Sequence, residues 1–220
     1  QNLLENSGKL FKNKKRLNSL LQANSEGYEV AIFDDGLQDN SIDYDLRIVC
    51  FNNTNWIGNG FTIPSGPLRE NIENIKKYKN VFLNGNNEDL DEIKKFISKI
   101  DTSINIYQGK YIPKNINEFN TNDKFLVFSG IGNHKTFISM LKNNKLNIVK
   151  DIEFPDHYSY SKNDINEIIE ISNELDCRII TTEKDYMRLK KNDPNIIKYI
   201  KVDLEILDEK KFLEDISEIL

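Results

Sequence analysis

Two adjacent carboxylates, Asp34 and Asp35, are the residues of this sequence best suited to phosphoryl-transfer chemistry. They follow the apolar run 28–33, which predicts a buried strand, and open α/β sheets bind their ligands at the carboxyl ends of strands. In P-loop phosphotransferases an acidic residue in this position helps to hold Mg²⁺ against the nucleotide phosphates. Gly36 allows a sharp turn, and Gln38 could orient a ligand. A solvated turn also explains these residues, and this segment alone leaves both interpretations open.

A histidine in a Pro-punctuated loop is the second candidate. Asp156 precedes His157, and the pair could supply a general base or a phosphate-facing hydrogen-bond donor near neutral pH. A structural role for a lone histidine is the competing interpretation. Further along, residues 181–185 end a predicted strand and begin a helix, with Thr182 as the predicted N-cap and Asp185 answering it.

Two other patterns imitate ligand-binding motifs. Residues 130–136 follow a strand and open a helix, as a phosphate cradle does, but a P-loop needs glycine immediately before its lysine. That position is His134, so we interpret the glycines as permitting close packing of the strand on the helix. Asp43 and Asp45 form a D-x-D pair that could hold a metal and a sugar nucleotide. They precede a predicted strand instead of following one, which favours a solvated loop.

Strands and helices alternate along the chain and must position these residues. Such alternation predicts parallel βαβ units with right-handed crossovers. We therefore predict two α/β domains, 1–110 and 111–220. The predicted helices lie within 6–24 and at 88–100, 134–142, 162–175 and 208–219, and the predicted strands at 28–33, 46–51, 80–84, 104–107, 111–112, 124–129, 146–153, 178–182 and 197–204.

Composition narrows the classes of function. The 220 residues carry a net charge of −5 and have a pI of about 5.3, which argues against binding to duplex nucleic acid. No apolar run approaches the roughly 18 residues that a membrane-spanning helix needs. Cys50 and Cys177 both lie in apolar runs, which favours two buried free thiols over a disulfide.

Six short segments, taken together and in order, resemble the tetraacyldisaccharide 4'-kinases of lipid A synthesis. Each segment is weak evidence by itself, whereas six in the family's order are specific. The resemblance implies ATP-dependent phosphorylation of the 4'-hydroxyl of a lipid A disaccharide precursor, with Mg²⁺, by a peripheral enzyme at the cytoplasmic face of the bacterial inner membrane. The segments are IFDDGLQ at 32–38, GNG at 58–60, PSGPLRE at 64–70, FSGIGN at 128–133, FPDH at 154–157 and TTEKD at 181–185.

The same resemblance implies a fold, a P-loop-kinase-like parallel-sheet domain followed by a second, smaller α/β domain. Family members begin with a membrane-associating helix, a P-loop and an acidic motif, and none of these occurs in this sequence. We therefore expect the first domain to be N-terminally incomplete and the 220 residues alone to bind ATP poorly. Tyr44 stands where the family usually has arginine, and His134 where it often has proline.

The roles of individual residues follow from the resemblance as expectations. Asp34 and Asp35 would hold Mg²⁺ directly or through water, with Asp35 counted as catalytic. Asp34 and Gln38 would contact the bound ATP–Mg²⁺. Arg69 and Asn59, in the Gly/Pro-rich loop, would contact the sugar or phosphate of the substrate.

His157 would be catalytic, facing Asp34 and Asp35 across the two domains and pairing with an acid of the upstream motif.

Two alternative functions stay open. One is a sugar-nucleotide glycosyltransferase that uses Asp43 and Asp45. The other is a non-catalytic domain that has kept only binding to a partner or lipid.

Overall fold

The computed structural model describes residues 8–86, 89–189 and 196–219. Within these ranges, no helix combines the length and the apolar character needed to cross a bilayer. Two short 3-10 turns lie at Ile72–Asn74 and Ile116–Glu118. The other elements are α1 (Arg16–Ser25), β1 (Ile48–Asn52), α2 (Ile75–Tyr78), β2 (Asn80–Asn84), α3 (Asp91–Ile100), β3 (Asn105–Pro113), β4 (Lys124–Ser129), α4 (His134–Asn143), β5 (Asn147–Glu153), α5 (Lys162–Glu174), β6 (Arg178–Thr182), α6 (Glu183–Leu189), β7 (Ile197–Ile200), β8 (Val202–Ile206) and α7 (Glu209–Ser217).

The first sheet has the strand order β1-β2-β3-β8, with three parallel strands and an antiparallel β8. Strand β2 is apolar and buried along most of its length, as expected where both faces of a parallel strand are covered. Val81 and Leu83 pack with residues of α2 and α3 on one face. On the other face, Phe82 and Tyr107 meet Phe212 of α7 edge to face.

The second sheet is wholly parallel, with the order β5-β4-β6-β7. Strand β4 lies in the middle, and its residues alternate between two cores. Phe125 and Val127 pack towards α4, whereas Leu126 and Phe128 pack towards α5. Because β4 is covered on both faces, its near-continuous apolar sequence is what a central parallel strand requires.

The passage from β7 to β8 joins the two sheets. Strand β7 belongs to the second sheet, and β8 begins two residues after it ends, yet β8 pairs with β3 in the first sheet. The Asn115 side chain ties this junction, since it donates to the Tyr199 carbonyl and accepts from the Lys201 N–H. The division into domains 1–110 and 111–220 stays a prediction, and β8 and α7 pack with the first sheet although they follow residue 200.

The α/β class and most predicted elements are confirmed, and β4 and β6 have the predicted bounds. Two predictions of strands are wrong. The segments 104–107 and 111–112 belong to one strand, β3, because it pairs with β2 up to Gly109 and with β8 from Gly109 onwards. Gly109 lies against the Phe82 ring, where a Cβ would come within 2.8 Å. The segment 197–204 forms two strands in different sheets. Glu88, the predicted first residue of α3, lies outside the described residues, as do residues 6 and 7 of the predicted helix at 6–24.

The predicted strand at 28–33 is also wrong. These residues have no regular structure, and Ile32 is 95% exposed. A strand needs a neighbour for its backbone hydrogen bonds, and among the described residues β1 pairs only with β2.

The predicted burial of both thiols is wrong as well, because Cys50 is exposed and Cys177 is partly buried, although both are free.

Candidate active site

The first group of candidate residues lies where the segment 34–38 meets the loop 64–70. Asp34 and Asp35 lie in a turn and not at the end of a strand, which corrects the prediction. The Asp35 carboxylate forms an ion pair with Arg69, and the Asp35 carbonyl accepts a 2.8 Å hydrogen bond from Arg16 of α1. Asp35 therefore links three segments that are distant in sequence.

A second contact fastens the same two segments. The Gln38 side-chain amide donates to the Glu70 carboxylate at 3.1 Å, and the same carboxylate accepts from the Tyr78 hydroxyl at 2.9 Å and from the Asn74 amide at 3.0 Å. Desolvation raises the pKa of Glu70, but these hydrogen bonds outweigh it and hold the pKa below its ordinary value. Glu70 is therefore an anionic anchor, and Gln38 is held by it.

Asn59 builds the Gly/Pro-rich loop. Its side-chain amide donates to the Ser65 carbonyl at 2.8 Å, and its side-chain oxygen accepts from the Phe61 N–H at 3.1 Å. Gly66 packs against this turn so closely that a Cβ would lie 2.2 Å from the Asn59 side-chain oxygen. Both polar ends of Asn59 thus hold loop backbone, and its predicted contact with substrate stays a prediction.

The donor set of the first group fits magnesium. Mg²⁺ is commonly held by one or two carboxylates together with substrate phosphates and water. Asp34 and Asp35 are exposed and supply two such carboxylates, although Asp35 is engaged with Arg69. Among the described residues no group of three or more His, Cys, Asp or Glu side chains gathers to hold a metal by itself.

The second group lies at the carboxyl edge of the second sheet, where β4, β5 and β6 end. Asp185 is fully buried there and accepts hydrogen bonds from the Gly130 N–H at 3.1 Å and the Thr182 hydroxyl at 2.7 Å. The Thr182 hydroxyl in turn accepts from the Asp185 N–H, as the predicted cap of α6 requires. The other Asp185 oxygen pairs with Arg188 at 2.9 Å.

Arg188 connects this buried aspartate to His157. One terminal nitrogen of its guanidinium (Nη1) donates to Asp185 and to the Gly130 carbonyl, both at 2.9 Å, and the other (Nη2) lies 3.2 Å from Nδ1 of His157. The His157 N–H also binds the Gly130 carbonyl at 3.1 Å, while its side chain is 73% exposed. Asp156 lies on the other side of the ring, 3.7 Å from Nε2, and faces Lys184 at 3.9 Å.

Aromatic side chains within the loop that carries His157 pack against one another. Tyr160 meets both Phe154 and Tyr158 edge to face, and Gly130 lies so close that a Cβ there would be 2.9 Å from the Tyr160 hydroxyl. Gly130 therefore permits close packing on this loop, and not on the following helix as predicted. Burial, with the Asp185 charge next, raises the pKa of Tyr160, so this hydroxyl stays protonated.

The other histidine has a structural setting. His134 is buried at the start of α4, with Nδ1 2.7 Å from the Ser129 hydroxyl and Nε2 3.3 Å from the Asp151 carboxylate. The first backbone N–H of segment 130–136 is not available to bind a phosphate, because the Gly130 N–H donates to Asp185. In the D-x-D pair, Asp43 is 98% exposed and ion-paired with Arg47, as a solvated loop predicts.

The structure brings Asp35 together with Arg69, and Gln38 with Glu70, but within the described parts of the chain no residue contacts both these groups and His157. The predicted approach of His157 to Asp34 and Asp35 therefore stays a prediction. Asp35 and His157 are two of the six described non-glycine residues with positive φ, at 55° and 62°. Residues with side chains rarely adopt this conformation, and it recurs at functional sites.

Sequence reasoning missed Arg188 and Glu70. Arg188 follows Asp185 by three residues, a spacing that places both on one face of a helix, and this signal was available. Glu70 ends a family-like segment, yet its partners Gln38, Asn74 and Tyr78 come from separate segments, and only the folded chain brings them together.

Comparison with known sequences gives one family. The sequence model for "Tetraacyldisaccharide-1-P 4'-kinase" (LpxK) matches residues 3–220. A tetraacyldisaccharide 4'-kinase of Pelagibacter ubique is 63% identical over 210 residues, which cover 96% of this chain and 67% of that protein. The kinase of the same name from Rickettsia typhi is 34% identical over 77% of this chain and 51% of its own length. The chain thus spans half to two thirds of these relatives.

Comparison with solved structures gives the same fold. The crystal structure of an "apo" form of LpxK from Aquifex aeolicus in complex with ATP superimposes with a TM-score of 0.58. The match covers 91% of this chain and 61% of the other, at 23% sequence identity. At this identity the similarity shows a shared fold.

Proposed function

This chain belongs to the tetraacyldisaccharide 4'-kinase family, as its six segments predicted, and we propose that it serves the ATP-dependent phosphorylation of the 4'-hydroxyl of a tetraacyldisaccharide 1-phosphate. One observation carries the proposal beyond the family match. The two family-like segments that hold the predicted metal-binding and substrate-binding residues meet in the structure, through the Asp35–Arg69 ion pair and the Gln38–Glu70 hydrogen bond.

The chemistry proposed for the first group is positioning and neutralisation of charge. Phosphoryl transfer develops little new covalent chemistry on the protein, so catalysis depends on the alignment of the reacting groups and the stabilisation of phosphate charge. Bound Mg²⁺ would offset charge on the ATP phosphates, and Asp34 and Asp35 are the residues proposed to hold it. Arg69 is proposed to exchange its ion pair with Asp35 for a phosphate or sugar group of the substrates.

His157 is proposed as the catalytic residue of the second group. Its exposed ring could accept the proton of the 4'-hydroxyl or donate a hydrogen bond to a phosphoryl oxygen. The fixed loop supports this role, because the backbone of His157 is tied to Gly130 and its ring to Arg188. A histidine whose side chain is exposed but whose backbone and ring are both hydrogen-bonded is better suited to binding a ligand than to packing in the core.

The substrate also implies a place of work. A disaccharide with four acyl chains keeps those chains in the bilayer, so an enzyme that phosphorylates its sugar must act at the membrane surface. We propose peripheral association with the cytoplasmic face of the inner membrane, where ATP is available. Nucleic acid is not a proposed partner.

The test is transfer of labelled phosphate by the full-length gene product. With [γ-³²P]ATP, Mg²⁺ and tetraacyldisaccharide 1-phosphate in mixed micelles, we expect label on the disaccharide, and addition of EDTA should abolish it. Transfer or hydrolysis of a sugar nucleotide without ATP would instead support the glycosyltransferase alternative. Binding of the lipid without either reaction would support a non-catalytic domain.

A matched pair of aspartate variants locates the site. Asp35→Ala should lower the transfer rate by several orders of magnitude at saturating Mg²⁺, because the carboxylate proposed to hold the metal is lost. Asp43→Ala removes another exposed, arginine-paired carboxylate and should leave the rate within about twofold. Equal rates for the two variants would remove Asp35 from the site.

A further inference from the structure

We propose that Arg188 is a positioning residue, which holds the neutral ring of His157 as the tautomer with its proton on Nε2. His157 then presents a hydrogen-bond donor, and not a proton acceptor, to the ligand that it faces. The catalytic consequence of this inference rests on the proposed function, in which His157 is the catalytic residue. The tautomer itself depends only on contacts within the described chain.

The first step is the chemistry of the Arg188–His157 contact. A guanidinium carries only N–H donors and keeps its charge, so it cannot accept a hydrogen bond. Nδ1 of His157 lies 3.2 Å from Nη2 of Arg188, and it must therefore be the acceptor, without a proton. In a neutral imidazole the single proton then resides on Nε2.

The second step is what fixes Arg188. Its other terminal nitrogen is bound at 2.9 Å to both the Asp185 carboxylate and the Gly130 carbonyl. Asp185 is fully buried and is itself held by the Gly130 N–H and the Thr182 hydroxyl. The guanidinium is thus anchored from the strand ends of β4 and β6, and its free edge is aimed at the histidine.

The third step is the environment on the opposite side of the ring. Nε2 of His157 lies 3.7 Å from Asp156, which is too long for a hydrogen bond but places a negative charge towards an N–H. Lys184 shares that aspartate at 3.9 Å. Asp156 and Arg188 therefore favour the same tautomer from opposite sides.

The functional consequence concerns where the lone pair lies. A ring that accepts a proton uses its unprotonated nitrogen, and in His157 that nitrogen is occupied by Arg188. The exposed Nε2–H remains available to donate to a carboxylate or to a phosphoryl oxygen. Of the two roles proposed for His157, the structure favours the donor.

The experiment is NMR of the 220-residue chain labelled with ¹⁵N-histidine, recorded at a pH where the imidazoles are neutral. The chain has only two histidines, so a His134→Gln variant assigns both rings. For His157 we expect a pyridine-type shift at Nδ1 and a pyrrole-type shift at Nε2. Protonated Nδ1 in the unsubstituted protein would overturn the proposal, whatever the variants do.

Two arginine variants separate positioning from stability. Arg188→Met removes the donor but keeps an apolar stem, and it should convert the His157 signals to a mixture of tautomers. Arg178→Met removes an ion-paired arginine at the opposite end of β6 and should leave those signals unchanged. An unchanged His157 pattern in folded Arg188→Met protein would refute the role of Arg188.

If Arg188→Met does not fold, Asp185→Asn offers the same test, because it weakens the anchor of Arg188 and should also mix the tautomers. These measurements need neither ATP nor lipid. A protein without kinase activity but with the expected tautomer would therefore refute the proposed function alone.

Discussion

Replacement of the buried Asp185 by alanine should cost more stability than replacement of an exposed, ion-paired aspartate. The side chain is 0% exposed and serves three donors, the Gly130 N–H, the Thr182 hydroxyl and the Arg188 guanidinium. Its loss leaves a buried N–H and a buried hydroxyl without an acceptor and a largely buried cation without its counter-charge.

The magnitude follows from these partners. An unsatisfied buried donor costs about 1–3 kcal/mol, and removal of one member of a buried ion pair costs about 3–5 kcal/mol. Arg188 retains the Gly130 carbonyl and part of its side chain reaches solvent, which places Asp185→Ala towards the lower end, about 3 kcal/mol. Asp185→Asn keeps an acceptor oxygen and should cost less.

The assay is equilibrium unfolding in urea, followed by far-UV circular dichroism, with the slope m compared between variants. Asp203→Ala is the matched control, because it removes an aspartate whose 3.0 Å ion pair with Lys114 is more than half exposed on both sides. The control should change stability by less than about 1 kcal/mol. If Asp185→Ala lost no more than this control at an unchanged m, the reasoning about the buried network would be refuted.

Two further predictions concern single contacts. Ser161→Ala breaks the capping box of α5 and should cost about 1 kcal/mol near neutral pH. Hydrogen bonds with Ser161 hold the pKa of Asp164 below its usual range. Their stabilisation is therefore present above about pH 4 and is lost as the pH falls through the lowered pKa. Unfolding measured at several pH values should show that the difference in stability between Ser161→Ala and the parent protein shrinks in acid. Tyr107→Phe removes the 2.7 Å hydrogen bond to Asp215 that connects α7 to the first sheet, and it should lower the free energy of unfolding by about 1–2 kcal/mol. The substitution should accelerate amide hydrogen exchange more in α7 than in β4, and equal acceleration in both would contradict the prediction.

The family and the local elements can be predicted from the sequence alone. Strands β4 and β6 have their predicted bounds, because an apolar run between polar residues is the pattern of a strand that is covered on both faces. The cap of α6 was equally local, since Thr182 and Asp185 are three residues apart and meet in any helix that begins there.

Elements whose pairing partners are distant in sequence depend on the tertiary structure. The apolar pattern at 28–33 is that of a strand, but a strand forms only where another backbone accepts its hydrogen bonds, and that information is not in the segment. For the same reason one predicted strand at 197–204 became β7 and β8, which pair in different sheets.

The sites divide in the same way. Residue type and order indicated Asp34, Asp35, Arg69 and His157 as candidates, because carboxylate, guanidinium and imidazole groups have fixed chemistry wherever they lie. Their partners were decided by the fold, which joins residues 34 positions apart in the Asp35–Arg69 pair and 31 apart at Arg188 and His157. A hydrogen bond depends on distance and direction in space, and neither is encoded in a spacing along the chain once that spacing exceeds a few turns of helix.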